Sequence, residues 1–333
     1  LYNLQTIINL NSEDSHLADL GNGSKANQVA VARILKAYYF WFLTDTYGDI
    51  PYFDALKGNE VLQPAFDKQQ DIYADLFKEL KEAEAMINVN EAAVTGDILL
   101  NGDMAAWKRF ANTTRLFMSL RLMKVDRAKA EAEMTAALND GVIESNAQNI
   151  TYKFIGGDPN NWNPWYENYS TDNRNDYAIS TTLGDYMLEN NDPRVFVYAE
   201  TLNGSEVKTL PYGSSAAKNI PGIYSRIGGK LQADNTVVPI YTYAQVLFAK
   251  AEAANRGITL PGGGVAAELY NNAIKASWEF WGVYDAAKYA SFIADPDIAY
   301  VPGEAGLQKI IKQKWVHQYQ NGFEAWSDWR RTG

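Results

Sequence analysis

From Ser24 to Thr46 apolar side chains recur at helical spacing on two faces at once. Ala30, Ile34, Ala37 and Trp41 lie on one face, and Val31, Leu35, Tyr38 and Phe42 on the other. A helix that is apolar on both sides is covered on both sides. Residues 71–87 supply one cover: Ile72, Leu76, Leu80, Ala83 and Ile87 form a stripe, with Asp75, Lys78, Glu79 and Glu82 turned to water, an amphipathic helix that packs against the first. The same spacing returns at Trp107, Ala111, Thr114, Met118 and Leu122, and at Tyr243, Leu247, Lys250 and Ala254, with Gly257 as the C-cap. Beyond the PGGG loop at 261–264, Ala266 to Trp281 make an apolar stripe that Leu307 to Gln318 repeat more weakly.

Between these helices, residues 140–240 are dense in Gly, Pro, Asn and Tyr, and a helical period persists only near Ile179 to Leu188. This part reads as a long insertion. The expected fold class is mainly α: tetratricopeptide-like paired helices at about 24–139 and 241–333 flanking a loop-rich insertion at about 140–240, in one domain spanning 1–333. No strict 34-residue repeat aligns.

Composition narrows the function. Forty acidic side chains against thirty basic ones give a net charge of -10, which repels phosphate backbones and anionic headgroups, so no nucleic-acid partner is expected. The absence of cysteine removes disulfide frameworks, zinc fingers, iron-sulfur clusters and thiol nucleophiles. The richest apolar run, AYYFWFL at 37–43, is far below the ~18 residues of a membrane span, and no signal peptide opens the chain, which reads as a soluble, already processed body.

Catalytic motifs fail one by one. The two histidines, His16 and His317, have no metal-ligand spacing. GNGSKA at 21–26 satisfies a dinucleotide fingerprint, but no buried strand precedes it, and the mechanism needs strand, turn and helix in sequence. Ser215 and Lys218 form an SxxK with no downstream partner motif. Glu324 and Asp328 share a helix face as a carboxylate pair would, but Arg331 lies three residues past Asp328, and ion pairing holds acids ionised instead of preparing one as a proton donor. No catalytic residue, metal or cofactor is assigned.

The segment GGDPNNWNPWYENYSTDNRNDY at 156–177 offers recognition chemistry. A sugar presents a flat CH face and a rim of hydroxyls; Trp162, Trp165, Tyr166, Tyr169 and Tyr177 supply stacking area, while Asn161, Asn163, Asn168 and Arg174 supply hydrogen bonds. The competing reading is an irregular loop pinned to the core by its own aromatics, with the Asn side chains satisfying turn backbone. Tyr47, Tyr52 and Phe53, beside the YGDIP turn, make a second candidate wall.

Four stretches together carry a family resemblance: ARILKAYYFWFLTDTYGDIPYFDAL (32–56), MAAWKRFANTTRLFMSLRL (104–122), YTYAQVLFAKAEAANRG (241–257) and IIKQKWVHQYQNGFEAWSDWRRTG (310–333). Each resembles a signature of the SusD/RagB-like proteins, in the same order along the chain. The resemblance implies a non-catalytic, lipid-anchored nutrient-binding protein of the outer membrane, exposed at the cell surface. It also implies a SusC-like TonB-dependent transporter as partner and oligosaccharides as cargo, with peptides as the alternative. The lipid-bearing cysteine and the Tyr-Pro tail of relatives are not in this sequence, so the anchor is an inference from the resemblance. The shared motifs read as structural: Arg33, Arg115, Arg121 and Glu252 on long helices are buried charges that need partners, and Trp326 and Trp329, three apart after Gly322, read as packing residues. From other classes, an all-helical glycoside hydrolase and an intracellular helical-repeat scaffold remain open.

Overall fold

A computed structural model describes residues 1–12, 21–174, 176–213, 220 and 222–333. His16, Ser215 and Lys218 lie outside the described residues. The chain is mainly helical, as its periodicity predicts, and parts into two compact units: Leu1–Glu144 with Ile258–Gly263 and Trp329–Gly333, and Ser145–Gly257 with Gly264–Asp328. The loop-rich insertion therefore packs with the C-terminal helices in one unit, instead of standing apart from two matching helical ends.

The first unit is built on α1 (Tyr2–Ser12), α2 (Lys25–Tyr47), α3 (Gln69–Met86), α4 (Met104–Leu122) and α5 (Arg127–Asp140). Ser24 caps α2 by accepting the Asn27 N–H, the bond that Ser offers an unsatisfied helix N-terminus. Gly23, within the apparent dinucleotide fingerprint, runs so close to the Ala93 backbone that a Cβ there would meet its carbonyl oxygen at 2.5 Å; this glycine serves helix entry and close approach. Both apolar faces of α2 are covered, since α1, α3 and α4 all pack against it. The charges that needed partners have them. Arg33 reaches Glu79 at 2.7 Å, Arg115 reaches Asp140 at 2.7 Å, and Arg121 reaches Asp45 at 3.0 Å. Asn112 adds two bonds to the carbonyls of Asp140 and Gly141, where α5 ends.

The second unit holds α6 (Pro164–Ser170), α7 (Thr181–Glu189), α8 (Val195–Tyr198), α9 (Gly229–Gln232), α10 (Tyr243–Asn255), α11 (Ala266–Trp281), α12 (Ala286–Ala294), α13 (Glu304–His317) and most of α14 (Gly322–Thr332). Thr242 and Gln245 form a reciprocal capping box that opens α10. Gly282, left-handed at φ 74°, closes α11. Two short strands, β1 (Ile150–Lys153) and β2 (Val237–Tyr241), pair antiparallel with Tyr152 opposite Val238 and Lys153 opposite Val237. The insertion thus leaves and returns at one place. Its own core joins Ile179, Leu183 and Met187 of the insertion to Trp281 and Val316 of the C-terminal helices.

The closing run adds one partner and corrects one expectation. Asp328 pairs with Lys314 at 2.7 Å, both almost fully buried, a partner on another helix that sequence spacing does not offer. Trp326 and Trp329, expected in the core, are 42% and 65% exposed. The face of α14 that turns inward is the one with Glu324, Ser327 and Asp328. A buried cation on α13 needs a carboxylate more than the core needs two indoles.

Candidate ligand-binding site

The Asn-rich and Trp-rich segment folds as a 3-10 turn at 159–161 followed by α6. Asn163 explains why. Its Oδ1 accepts the Trp165 N–H at 3.1 Å as the helix cap, and its Nδ2 donates to the carbonyls of Leu231 at 2.8 Å and Ala233 at 3.1 Å. Both amide donors are used and the side chain is buried, so Asn163 fastens the segment to the 231–234 stretch instead of facing a ligand. Asn161 donates to Asp158 at 2.6 Å, and this bond, with those from Asn160, holds the Asp158 carboxyl below its usual range.

The aromatics divide into two groups. Trp162 stands edge-on to Tyr166, ring centroids 5.0 Å apart, and its buried indole N–H has no protein partner among the described residues. Trp165 stands edge-on to Tyr177 at 4.8 Å and packs against the insertion core. It is therefore a buttress behind Tyr177. Tyr169 donates its hydroxyl to the Tyr177 carbonyl at 3.3 Å; burial pushes this phenol up to about 12, so it stays a donor at neutral pH. Arg226 lies over the Tyr169 ring and Arg174 over the Tyr177 ring, each at 5.7 Å. Arg174 also pairs with Asp176 at 2.6 Å.

Trp165, Tyr169 and Arg174 each meet Tyr177, which lines a hollow of about 440 Å³ together with Tyr212, Trp315, Gln318 and Tyr319. The volume lies within the range of small-molecule sites. Of the residues singled out in the 156–177 segment only Tyr177 lines this hollow; Trp165, Tyr169 and Arg174 touch Tyr177 without lining the hollow, and Trp162, Tyr166, Asn161 and Asn163 lie outside the lining. Trp315 escapes sequence reasoning because it continues an apolar helical stripe, which signals core; Tyr319 lies past the end of α13, outside that stripe.

A polar network sets the α13 side of the hollow. Buried Arg194 bonds Asp192, Ser277 at 2.8 Å and Gln313 at 2.6 Å. Ser277 Oγ, already accepting from Arg194, gives its own proton to His317 Nδ1 at 2.8 Å. His317 Nε2–H then donates to Thr242 at 2.7 Å. Burial, aided by Arg194 and Lys314, pushes the His317 imidazole down to about 3, so the ring stays neutral. Trp315, Gln318 and Tyr319 flank His317 in sequence and are held by this anchor. Tyr198 fixes Tyr319 from behind with a stacked ring and donates its hydroxyl to the Val316 carbonyl at 2.9 Å.

The second candidate wall lies in the first unit. Phe53 lines a separate hollow of about 410 Å³ that is formed wholly within that unit. Tyr47 is 73% exposed and is not among the residues that line it. Among the described residues no cluster of three or more His, Asp or Glu side chains suits a metal ion, and no helix is long and apolar enough to cross a membrane.

Comparison with known proteins fits this architecture. The profile of the SusD-like family, described as starch-binding and associating with the outer membrane, matches residues 1–333. No curated protein sequence matches. Among solved structures, a chitin-binding protein is 30% identical with a TM-score of 0.83 over all of this chain and 72% of the other. A chitin-binding SusD homolog from Flavobacterium johnsoniae is also 30% identical, with a TM-score of 0.79 over 91% of this chain and 68% of the other. A SusD homolog from Bacteroides uniformis is 27% identical with a TM-score of 0.82 over 99% of this chain and 73% of the other. The order of the four sequence signatures, the helical architecture and the whole-length profile match agree: this chain belongs to the SusD-like family.

Proposed function

We propose that the chain is a non-catalytic nutrient-binding protein that captures oligosaccharides in the hollow of Tyr177, Tyr212, Trp315 and Tyr319. In this reading a lipid anchor holds it at the outer surface of the outer membrane, and it delivers its cargo to a SusC-like TonB-dependent transporter. The observation that carries the reading is the convergence of four aromatic side chains from three separate stretches on one hollow of about 440 Å³. Indole and phenol rings suit the apolar CH faces of pyranoses. Family membership supports the outer-membrane role.

Two relatives at 30% identity are described as chitin-binding, and the family description names starch. Chito-oligosaccharides and malto-oligosaccharides are therefore the first probes. Titration followed by tryptophan fluorescence should show saturable binding that Trp315→Ala weakens at least tenfold, about 1.4 kcal/mol. Equal affinity in the wild type, Trp315→Ala and Tyr319→Ala sinks the site assignment. A panel of short peptides tests the alternative cargo: a response to peptides alone reassigns it. Chromatography of the glycan after prolonged incubation tests the non-catalytic role, and shortened products overturn it.

A further inference from the structure

We propose that the hollow of the first unit is a second binding site, which takes a neutral sugar ring between Phe53 and Lys36. It stands on residues of that unit alone and does not rest on the reading of the aromatic hollow above.

The cavity measures about 410 Å³ and is walled by α1, α2, α3 and the turn that follows α2. Its floor presents one donor and one acceptor. Lys36 gives one N–H to Gln5 Oε1 at 3.0 Å, and Gln5 is itself oriented by donating to Asn9 at 2.8 Å. An ammonium carries three donors, and Gln5 is the partner that Lys36 has among the described residues. Partial burial lowers the pKa of this lysine, which marks an ammonium short of solvation. Asp75 accepts the Tyr52 hydroxyl at 2.8 Å through one oxygen and has a second to offer. Glu79 adds no free charge, since both of its oxygens bond Arg33. Lys57 is paired with Asp54 at 2.5 Å, so the hollow sets Lys36 against Asp75 and the carboxylate of Glu60; this mixed lining favours a neutral polyhydroxyl compound over an anion.

The rim presents a rigid apolar face. Phe53 is 50% exposed, yet it is fixed from two directions. Its ring meets Tyr52 edge-on at 5.0 Å, Tyr52 meets Phe40 edge-on at 4.8 Å, and Asp67 accepts the backbone N–H groups of Tyr52 and Phe53, each at 2.9 Å. An exposed ring held still has already lost the freedom that binding would otherwise remove. The turn also stores strain: Leu56, which lines the hollow, stands at φ 65°. A bulky residue in the left-handed region is an outlier, and such outliers collect at binding sites whose shape they set. A fixed aromatic face above paired donor and acceptor matches the CH face and hydroxyl rim of a pyranose.

The test is isothermal titration of the full chain with chitotetraose and with maltotetraose, comparing wild type, Phe53→Ala, Lys36→Met and Trp315→Ala, each checked by thermal unfolding. The expected result is two sites per chain for at least one sugar, with Phe53→Ala and Lys36→Met each weakening one site at least tenfold and leaving the other intact. Lys36→Met decides the matter if Phe53→Ala fails to fold. Unchanged stoichiometry and affinity in both variants overturns the proposal, as does a wild type that binds neither sugar. If Trp315→Ala still binds while Phe53→Ala and Lys36→Met do not, the hollow of the first unit stands and the aromatic hollow loses its assignment.

Discussion

Tyr319 lies flat on Tyr198, ring centroids 4.3 Å apart and planes 9° from parallel. One face of Tyr319 is thereby occupied by the core. The buried partner both orients the ring and holds the α13 backbone through its hydroxyl bond to Val316. Tyr198→Phe keeps the stack and loses one buried hydrogen bond, so denaturant unfolding should show a loss of about 1 kcal/mol with sugar affinity little changed. Tyr198→Leu removes the stack as well, and glycan affinity should then fall by more than its unfolding midpoint explains.

Breaking the buried pair of Lys314 and Asp328 removes a carboxylate at 2.7 Å from a buried ammonium. Asp328→Ala should destabilise the protein by about 3 to 5 kcal/mol in urea unfolding. Trp329→Ser, on the same helix but 65% exposed, should change stability by less than about 0.5 kcal/mol. Reversed magnitudes would restore the packing role that spacing had given the two tryptophans of this helix.

His317 makes stability depend on pH in a defined direction. The folded protein holds the ring neutral down to about 3, whereas an unperturbed imidazole titrates near 6.5. Between these values the unfolded chain binds the extra proton and the folded chain does not. Stability from this group is therefore complete above pH 6.5 and falls as pH is lowered toward 3, by of order 5 kcal/mol over the whole interval. Unfolding midpoints measured from pH 7 to pH 4 should decline in the wild type and decline less in His317→Gln.

Asn163→Ala separates structural from ligand-facing asparagines. Losing a helix cap and two bonds to buried carbonyls should cost about 2 to 3 kcal/mol. The loss should appear as faster proteolysis of the 156–177 segment, with weaker glycan binding only as a consequence. Asn161→Ala, which loses a bond to Asp158 in a largely exposed turn, should leave unfolding within about 1 kcal/mol of wild type.

Much of the helical frame was legible because periodicity reports which side of a helix meets the core. The two covered faces of α2 and the buried Arg33, Arg115 and Arg121 follow from it. Periodicity says nothing about which distant group a buried charge meets. Sequence proximity suggested Arg331 for Asp328, and the fold adds Lys314, fourteen positions earlier on another helix. It also does not distinguish a ring sealed in the core from one with an edge on a hollow, which is why Trp315 was read as part of an apolar stripe and Trp165 as a platform. In the insertion the aromatic and amide composition singled out the 156–177 segment, but the contacts of Asn163 with the 231–234 stretch are ones that no local pattern encodes.

The pairing of β1 with β2 has a consequence for how such a chain can diversify. The ladder joins Lys153 to Val237, while Ile179, Met187, Arg194 and Tyr198 from the segment between them are fastened to the C-terminal helices. Lengthening an exposed loop within a segment of that size adds little closure entropy, provided those fastenings stay. The room for change therefore lies in the exposed turns between them, whose surface can be rewritten while the shared core and the Arg194 network hold the C-terminal helices.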